Sequence, residues 1–145
     1  MTRINIVDPT ELMDQHLVAE YREIFMVGSS LARSLRSPNW KLSNIPTVFT
    51  LGKGHVSFFY DKGEYLVLRY AAIIKEMKAR GMNPDPARVF KHEQWPASLY
   101  NGWKPTEADK DIVRKRIEER IALKPAWYRK TAILNEWGMY RARIG

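Results

Sequence analysis

Asp8-Pro9-Thr10-Glu11-Leu12-Met13-Asp14-Gln15-His16-Leu17-Val18-Ala19-Glu20-Tyr21-Arg22-Glu23 opens with a helix start and then keeps helical time. Asp8 can cap free amides, Pro9 suits the first helical position, and Glu11 completes a capping-box-like pattern. Beyond them Met13, Leu17, Tyr21, Ile24, Leu31 and Leu35 fall on one apolar stripe at helical spacing. Gln15, His16, Ala19, Arg22 and Glu23 project from the other side. Gly28-Ser29-Ser30 is the expected place for a bend or break, and Ser37-Pro38-Asn39 ends the helix.

Two further helices follow the same logic. One starts near Asp61-Lys62-Gly63-Glu64, buries Leu66, Tyr70, Ile73 and Met77, and stops at Gly81 before Asn83-Pro84-Asp85-Pro86. The other starts at Thr106-Glu107-Ala108-Asp109, takes apolar contacts from Ile112, Val113, Ile117 and Ile121, and ends at Pro125. Residues 39–60 mix turns with the apolar run Val56-Ser57-Phe58-Phe59-Tyr60. Residues 82–105, rich in Pro, Asn and Trp, read as a long ordered loop. Strand pattern is sparse. The expectation is a mainly α fold, a single domain over residues 1–145 with three principal helices, long irregular loops and a divergent tail at 131–145.

Composition narrows the function. The 145 residues are 45% hydrophobic, enough for a folded core. No cysteine is present, which removes disulfides, thiolate zinc sites and thiol nucleophiles. No apolar run approaches the roughly 18 residues of a membrane span, and the N-terminus lacks the apolar segment of a secretory signal. Lys and Arg outnumber Asp and Glu by 24 to 16, a net charge of +8 that suits either a polyanionic partner or plain solubility. Five Trp and seven Tyr add faces on which unstacked bases can stack, which favours nucleic acid.

Several residues could carry chemistry. If Met1 is removed, the Thr2 α-amine becomes a nucleophile that ionises near pH 8, below a lysine, and can form an imine with a sugar carbon. From position alone Thr2 is an ordinary N-terminal residue, and Glu23 alone is a solvated helix glutamate; their pairing, with Arg3 and Arg22 adjoining, is what suggests a site. Arg116, Arg120 and Lys124 recur every four residues and form a row able to track a phosphate backbone, or simply a solvated face. Trp127-Tyr128-Arg129-Lys130 sets two aromatics beside two cations, suited to stacking with phosphate contact, although Trp127 would serve equally as a core plug. Metal chemistry finds little support: His16, His55 and His92 are scattered, and His16 with Glu20 lacks a third ligand. Gly52-Lys53-Gly54-His55 is too short to cradle phosphates and reads as a turn.

Three blocks in this order resemble the phage- and virus-encoded pyrimidine dimer DNA glycosylases, the endonuclease V type that repairs ultraviolet damage. The first comprises Met1 to Asn5, Glu11-Leu12, Asp14 to Leu17 and Ala19 to Glu23. The second comprises Leu51 to Val56 with Phe58 to Lys62. The third runs from Arg116-Ile117 through Ile121-Ala122 to Lys124-Pro125-Ala126-Trp127-Tyr128. The resemblance implies a cofactor-independent DNA glycosylase with abasic-site lyase activity on cyclobutane pyrimidine dimers in duplex DNA. In that family the processed N-terminal threonine amine attacks the deoxyribose C1′, and an essential glutamate assists. These roles map onto Thr2 and Glu23. DNA contact maps onto Arg3, Gln15, His16, Arg22, Arg116, Arg120, Trp127, Tyr128 and Arg129, and the basic row adds Lys124. No metal and no membrane are expected; the partner is damaged double-stranded DNA, met by a monomer in the cytoplasm, at the nucleoid of a bacterial or phage-infected cell. Met26 departs from the resemblance, standing where the best-known form has an arginine. The tail with Trp137, Tyr140, Arg141 and Arg143 is a candidate replacement for lost contacts. The competing readings are a glycosylase or lyase for another lesion and a non-catalytic basic DNA-binding protein.

Overall fold

Asp8 does cap, accepting from Thr10 N at 2.9 Å, but what it caps is a 3-10 turn over Pro9–Glu11. Leu12 then runs extended with its side chain fully buried, and the chain restarts as α1, Asp14–Glu23. A second helix, α2 (Phe25–Arg36), follows directly, with the interruption at Ile24. The one long helix expected from the stripe is therefore a turn and two helices. The interruption does not come at Gly28, which lies inside α2 and is buried. A Cβ there would meet the Trp95 ring at 3.0 Å, so this glycine permits close packing where a bend was expected.

The computed structural model describes residues 2–131, and residues 133–134 and 140–141 as backbone only. A short α3 (His55–Phe58) and a 3-10 turn at Phe59–Asp61 lead into α4, Gly63–Ala79. Asp61 does not cap α4; its carboxylate pairs with Lys62 Nζ at 2.7 Å. The 82–105 segment is the expected ordered loop, with two 3-10 turns, and α5 (Glu107–Leu123) starts where the sequence places it, with a capping box between Thr106 and Asp109. A two-residue ladder pairs β1 (Ile133–Leu134) antiparallel with β2 (Tyr140–Arg141). The expected roles of Trp137 and Arg143 and of the Tyr140 and Arg141 side chains lie outside the described residues. The architecture is mainly α.

The core joins Leu17 and Tyr21 of α1, Ile24 at the junction and Leu31 of α2 to Leu66, Tyr70, Ile73 and Met77 of α4, as their spacing predicts. Met13 is only half-buried, and Leu35 and Ile112 are exposed. What the apolar pattern could not show is a set of buried ion pairs. Arg69 binds both oxygens of Glu20 at 2.6 and 3.0 Å and also donates to the Val7 carbonyl. Glu20 accepts from Asn5 N and Asn5 Nδ2 at 3.1 and 3.0 Å. Burial opposes the charge on Arg69, but Glu20 more than offsets it and raises the guanidinium pKa. Arg80 bridges Glu76 and Asp14 at 2.8 and 2.9 Å, and Asp14 takes two further bonds from Thr131. Residues 3–7, which are neither helix nor strand, and the stretch after α5 are thus fastened to the helices by polar contacts.

Candidate nucleic-acid interface and active site

Gln15 ties the start of α1 to the stretch after α5. Its amide donates to the Trp127 carbonyl at 2.6 Å and accepts from Arg129 N at 3.2 Å, while Asp14 N binds the Arg129 carbonyl at 2.8 Å. These bonds lay the 127–131 stretch on the start of α1. Tyr128 then stacks on His16, ring centroids 4.8 Å apart and planes 18° from parallel. Trp127 packs edge-on against Tyr128 and is 60% exposed, so it is a surface ring and no core plug.

A cavity of about 200 Å³ opens where α1, α5, the N-terminal segment and Tyr128 meet. Arg3, His16, Glu23, Arg116, Arg120 and Tyr128 line it, together with Asn5, Ala19, Glu20 and Ile117. Six of the expected residues therefore converge. Sequence reasoning missed Asn5, and took Glu20 only as a weak metal-ligand candidate. Among the described residues no three His, Asp or Glu side chains group as a metal site, and no helix is long and apolar enough to cross a membrane.

The remaining expected residues do not line this cavity. Thr2 is half-buried beside it, lining an adjacent shallow groove with the 52–55 turn, Ser57 and Tyr60; its hydroxyl donates to Met26 Sδ at 3.1 Å. Met26, 56% exposed, thus touches the residue proposed to react. Arg22 is exposed outside the cavity, and its carbonyl accepts from Arg88 at 2.6 Å. Lys124 caps the end of α5 and is exposed away from the cavity lining, as is Arg129, whose backbone makes the contacts to α1.

Charge in the cavity is unevenly matched. Burial lowers the Arg3 pKa, and Arg116 and Arg120 lower it further. Arg116 is lowered by burial and then by Arg120. Burial and the same two arginines lower His16, favouring a neutral ring, and its Nδ1 is buried without a hydrogen-bond partner among the described residues. Three crowded guanidinium groups repel one another, and an anion between them relieves that repulsion. Glu23 is the acidic counterpart. Burial, with Glu20 nearby, holds its carboxyl pKa above the usual range although the chain's amino-terminal charge and Arg3 pull the other way.

The helical frame gathers three arginines and the stacked His16 and Tyr128 rings around the half-buried Glu23 carboxylate, a lining whose chemistry suits a polyanion. The family model for pyrimidine dimer DNA glycosylases matches residues 1–89, well over half of the chain, and the protein belongs to that family. It is therefore a DNA-repair glycosylase by family, and its substrate is damaged DNA. The match includes Thr2, Arg3, Gln15, His16, Arg22 and Glu23; the residues from Arg116 onward lie beyond it.

Proposed function

We propose that this protein is a glycosylase with abasic-site lyase activity on cyclobutane pyrimidine dimers in duplex DNA, with the Thr2 amine as nucleophile and Glu23 as the assisting carboxylate. The observation that carries this reading is the Glu23 carboxylate, set in a cavity lined by Arg3, Arg116 and Arg120, with Thr2, the neighbour of Arg3 in the chain, half-buried in a second groove. Once Met1 is removed, the Thr2 amine is neutral over much of the range near pH 8 and attacks C1′ of the sugar at the 5′ pyrimidine of the dimer. The C1′–N bond breaks, its electron pair leaves with the base, and the amine nitrogen takes its place on the sugar. Positive charge develops on the sugar in this step, and a carboxylate at Glu23 stabilises it. Ring opening gives a protonated imine. Removal of a C2′ proton, assisted by Glu23, sends electrons toward the imine and expels the 3′ phosphate by β-elimination. Arg3, Arg116 and Arg120 hold backbone phosphates meanwhile, and Tyr128 with Trp127 offers stacking faces. A lesion lowers the cost of opening the duplex at that step. The chain works in this reading as one domain and as a monomer, at the nucleoid in the cytoplasm.

The test is borohydride trapping on a duplex carrying one cis-syn thymine dimer, with mass mapping of the crosslinked peptide. The expected adduct lies on the Thr2 amine. No adduct from protein that begins at Thr2 and binds the duplex would favour another lesion, or a binding-only protein. Glu23→Gln keeps the shape of the site and loses the negative charge. It should bind the duplex as wild type does and lose most strand cleavage, about 10²-fold in single-turnover rate. Normal cleavage by this variant would move the carboxylate role elsewhere.

A further inference from the structure

The turn Gly52-Lys53-Gly54-His55 has no part in the reaction above, yet it delivers a buried imidazole to the N-terminal segment. Gly54 adopts φ +94°, in the left-handed region that favours glycine, and this turn starts α3 with His55 as its first residue. His55 is 2% exposed, with Phe49 and Phe59 packed edge-on against its ring at 5.6 and 5.4 Å. Its Nε2 accepts from the Ile4 amide at 2.9 Å, and its Nδ1 lies 2.8 Å from the Thr50 carbonyl, which can only accept. Both partners together demand one state of the ring: neutral, with the proton on Nδ1. Burial, the largest influence, holds the imidazole pKa down to about 4, which keeps that state at neutral pH.

Ile4 is fully buried, and the backbone around it belongs to no helix or strand, so its amide needs a partner from elsewhere. The same segment is held by Arg3 on the Leu51 carbonyl and by Asn5 on Glu20. Thr2 is two residues upstream, a span of about 7 Å at most. An amine on so short a tether goes where the Ile4 amide goes. We propose that His55 is a positioning residue for the reaction: by accepting the Ile4 amide it fixes the backbone that carries the Thr2 amine beside the Glu23 cavity. This rests on the Thr2 amine being the nucleophile. A misplacement of about 1 Å can cost a reaction about 10²-fold.

Two substitutions separate the ring's two bonds. In His55→Asn the amide nitrogen can replace Nδ1 toward Thr50, but nothing reaches the Ile4 amide. In His55→Gln the side-chain oxygen extends to the place of Nε2 and can accept from Ile4. Single-turnover borohydride trapping on the dimer duplex is measured at 10 °C, with rates corrected for folded fraction by circular dichroism and duplex affinity measured in parallel. His55→Asn should trap about 10²-fold more slowly at unchanged affinity, and His55→Gln should recover at least roughly tenfold of that loss. A His55→Asn rate equal to wild type, or equal rates in the two variants, would overturn the inference while leaving the nucleophile in place. A wild-type protein with no Thr2 adduct would overturn both. Independently of any variant, long-range ¹H–¹⁵N spectra of the wild-type imidazole should show Nδ1 protonated and Nε2 bare; the opposite tautomer would also overturn it.

Discussion

Arg69→Met should lower the stability of this protein by about 3–5 kcal/mol in urea unfolding at neutral pH, the usual loss when one partner of a buried ion pair is removed. Glu20 is 1% exposed and Arg69 6%, so water cannot replace the lost guanidinium at the carboxylate. Among the described residues Glu20 would retain the two donors from Asn5. The Val7 carbonyl would lose its bond from Arg69 as well. The size of the loss reflects the stranded charge more than the worth of the pair, and a double variant reveals the difference. Glu20→Met with Arg69→Met removes both charges and should be more stable than Arg69→Met alone. If the double variant is no better, the cost comes from packing and the Val7 contact, and the carboxylate is not what suffers. The single variant should also lose activity beyond its unfolded fraction, because Glu20 anchors Asn5, which lines the same cavity as Glu23.

These contacts show which signals a sequence carries. The start of α5 at Thr106 was legible because the bonds that cap it lie within four residues. The α4 stripe was legible because period alone puts Leu66, Tyr70, Ile73 and Met77 on one face. The interruption at Ile24 was not, since the apolar stripe runs through it unbroken and the burial of Leu12 upstream is a tertiary matter. Asp61 looked like a cap and was not, because the adjacent Lys62 takes its carboxylate. Glu20 and Arg69 are 49 residues apart, and each alone reads as a solvated helix charge.

The site divides the same way. Arg3, His16, Glu23, Arg116, Arg120 and Tyr128 could be nominated by type and by resemblance, and they converge. Gln15 was nominated for DNA and is found holding the Trp127–Arg129 backbone. That contact joins residues more than a hundred positions apart, so no local pattern announces it. His55 was read as one of three scattered histidines in a turn, and its partner Ile4 is an apolar residue whose contribution is a backbone amide. Side-chain chemistry read along the chain has no means of finding a bond of that kind.

A preparation that retains Met1, verified by intact mass, should bind the dimer duplex nearly as well as processed protein and show no measurable strand cleavage. In the retained form the Thr2 nitrogen is an amide, its lone pair shared with the Met1 carbonyl, and it cannot attack C1′. The only free α-amine has moved one residue outward, about 3.8 Å along the chain, against a tolerance near 1 Å for productive geometry. In the proposed reading phosphate and stacking contacts come from Arg3, Arg116, Arg120 and Tyr128, which line the cavity and do not depend on the amine, which is why affinity should survive. No lysine lines the cavity among the described residues, so the cavity itself offers no substitute amine. Lys53, in the neighbouring groove beside Thr2, is the natural candidate if cleavage persists. Full turnover with Met1 in place would therefore remove Thr2 from the mechanism and send the search for the nucleophile to that turn.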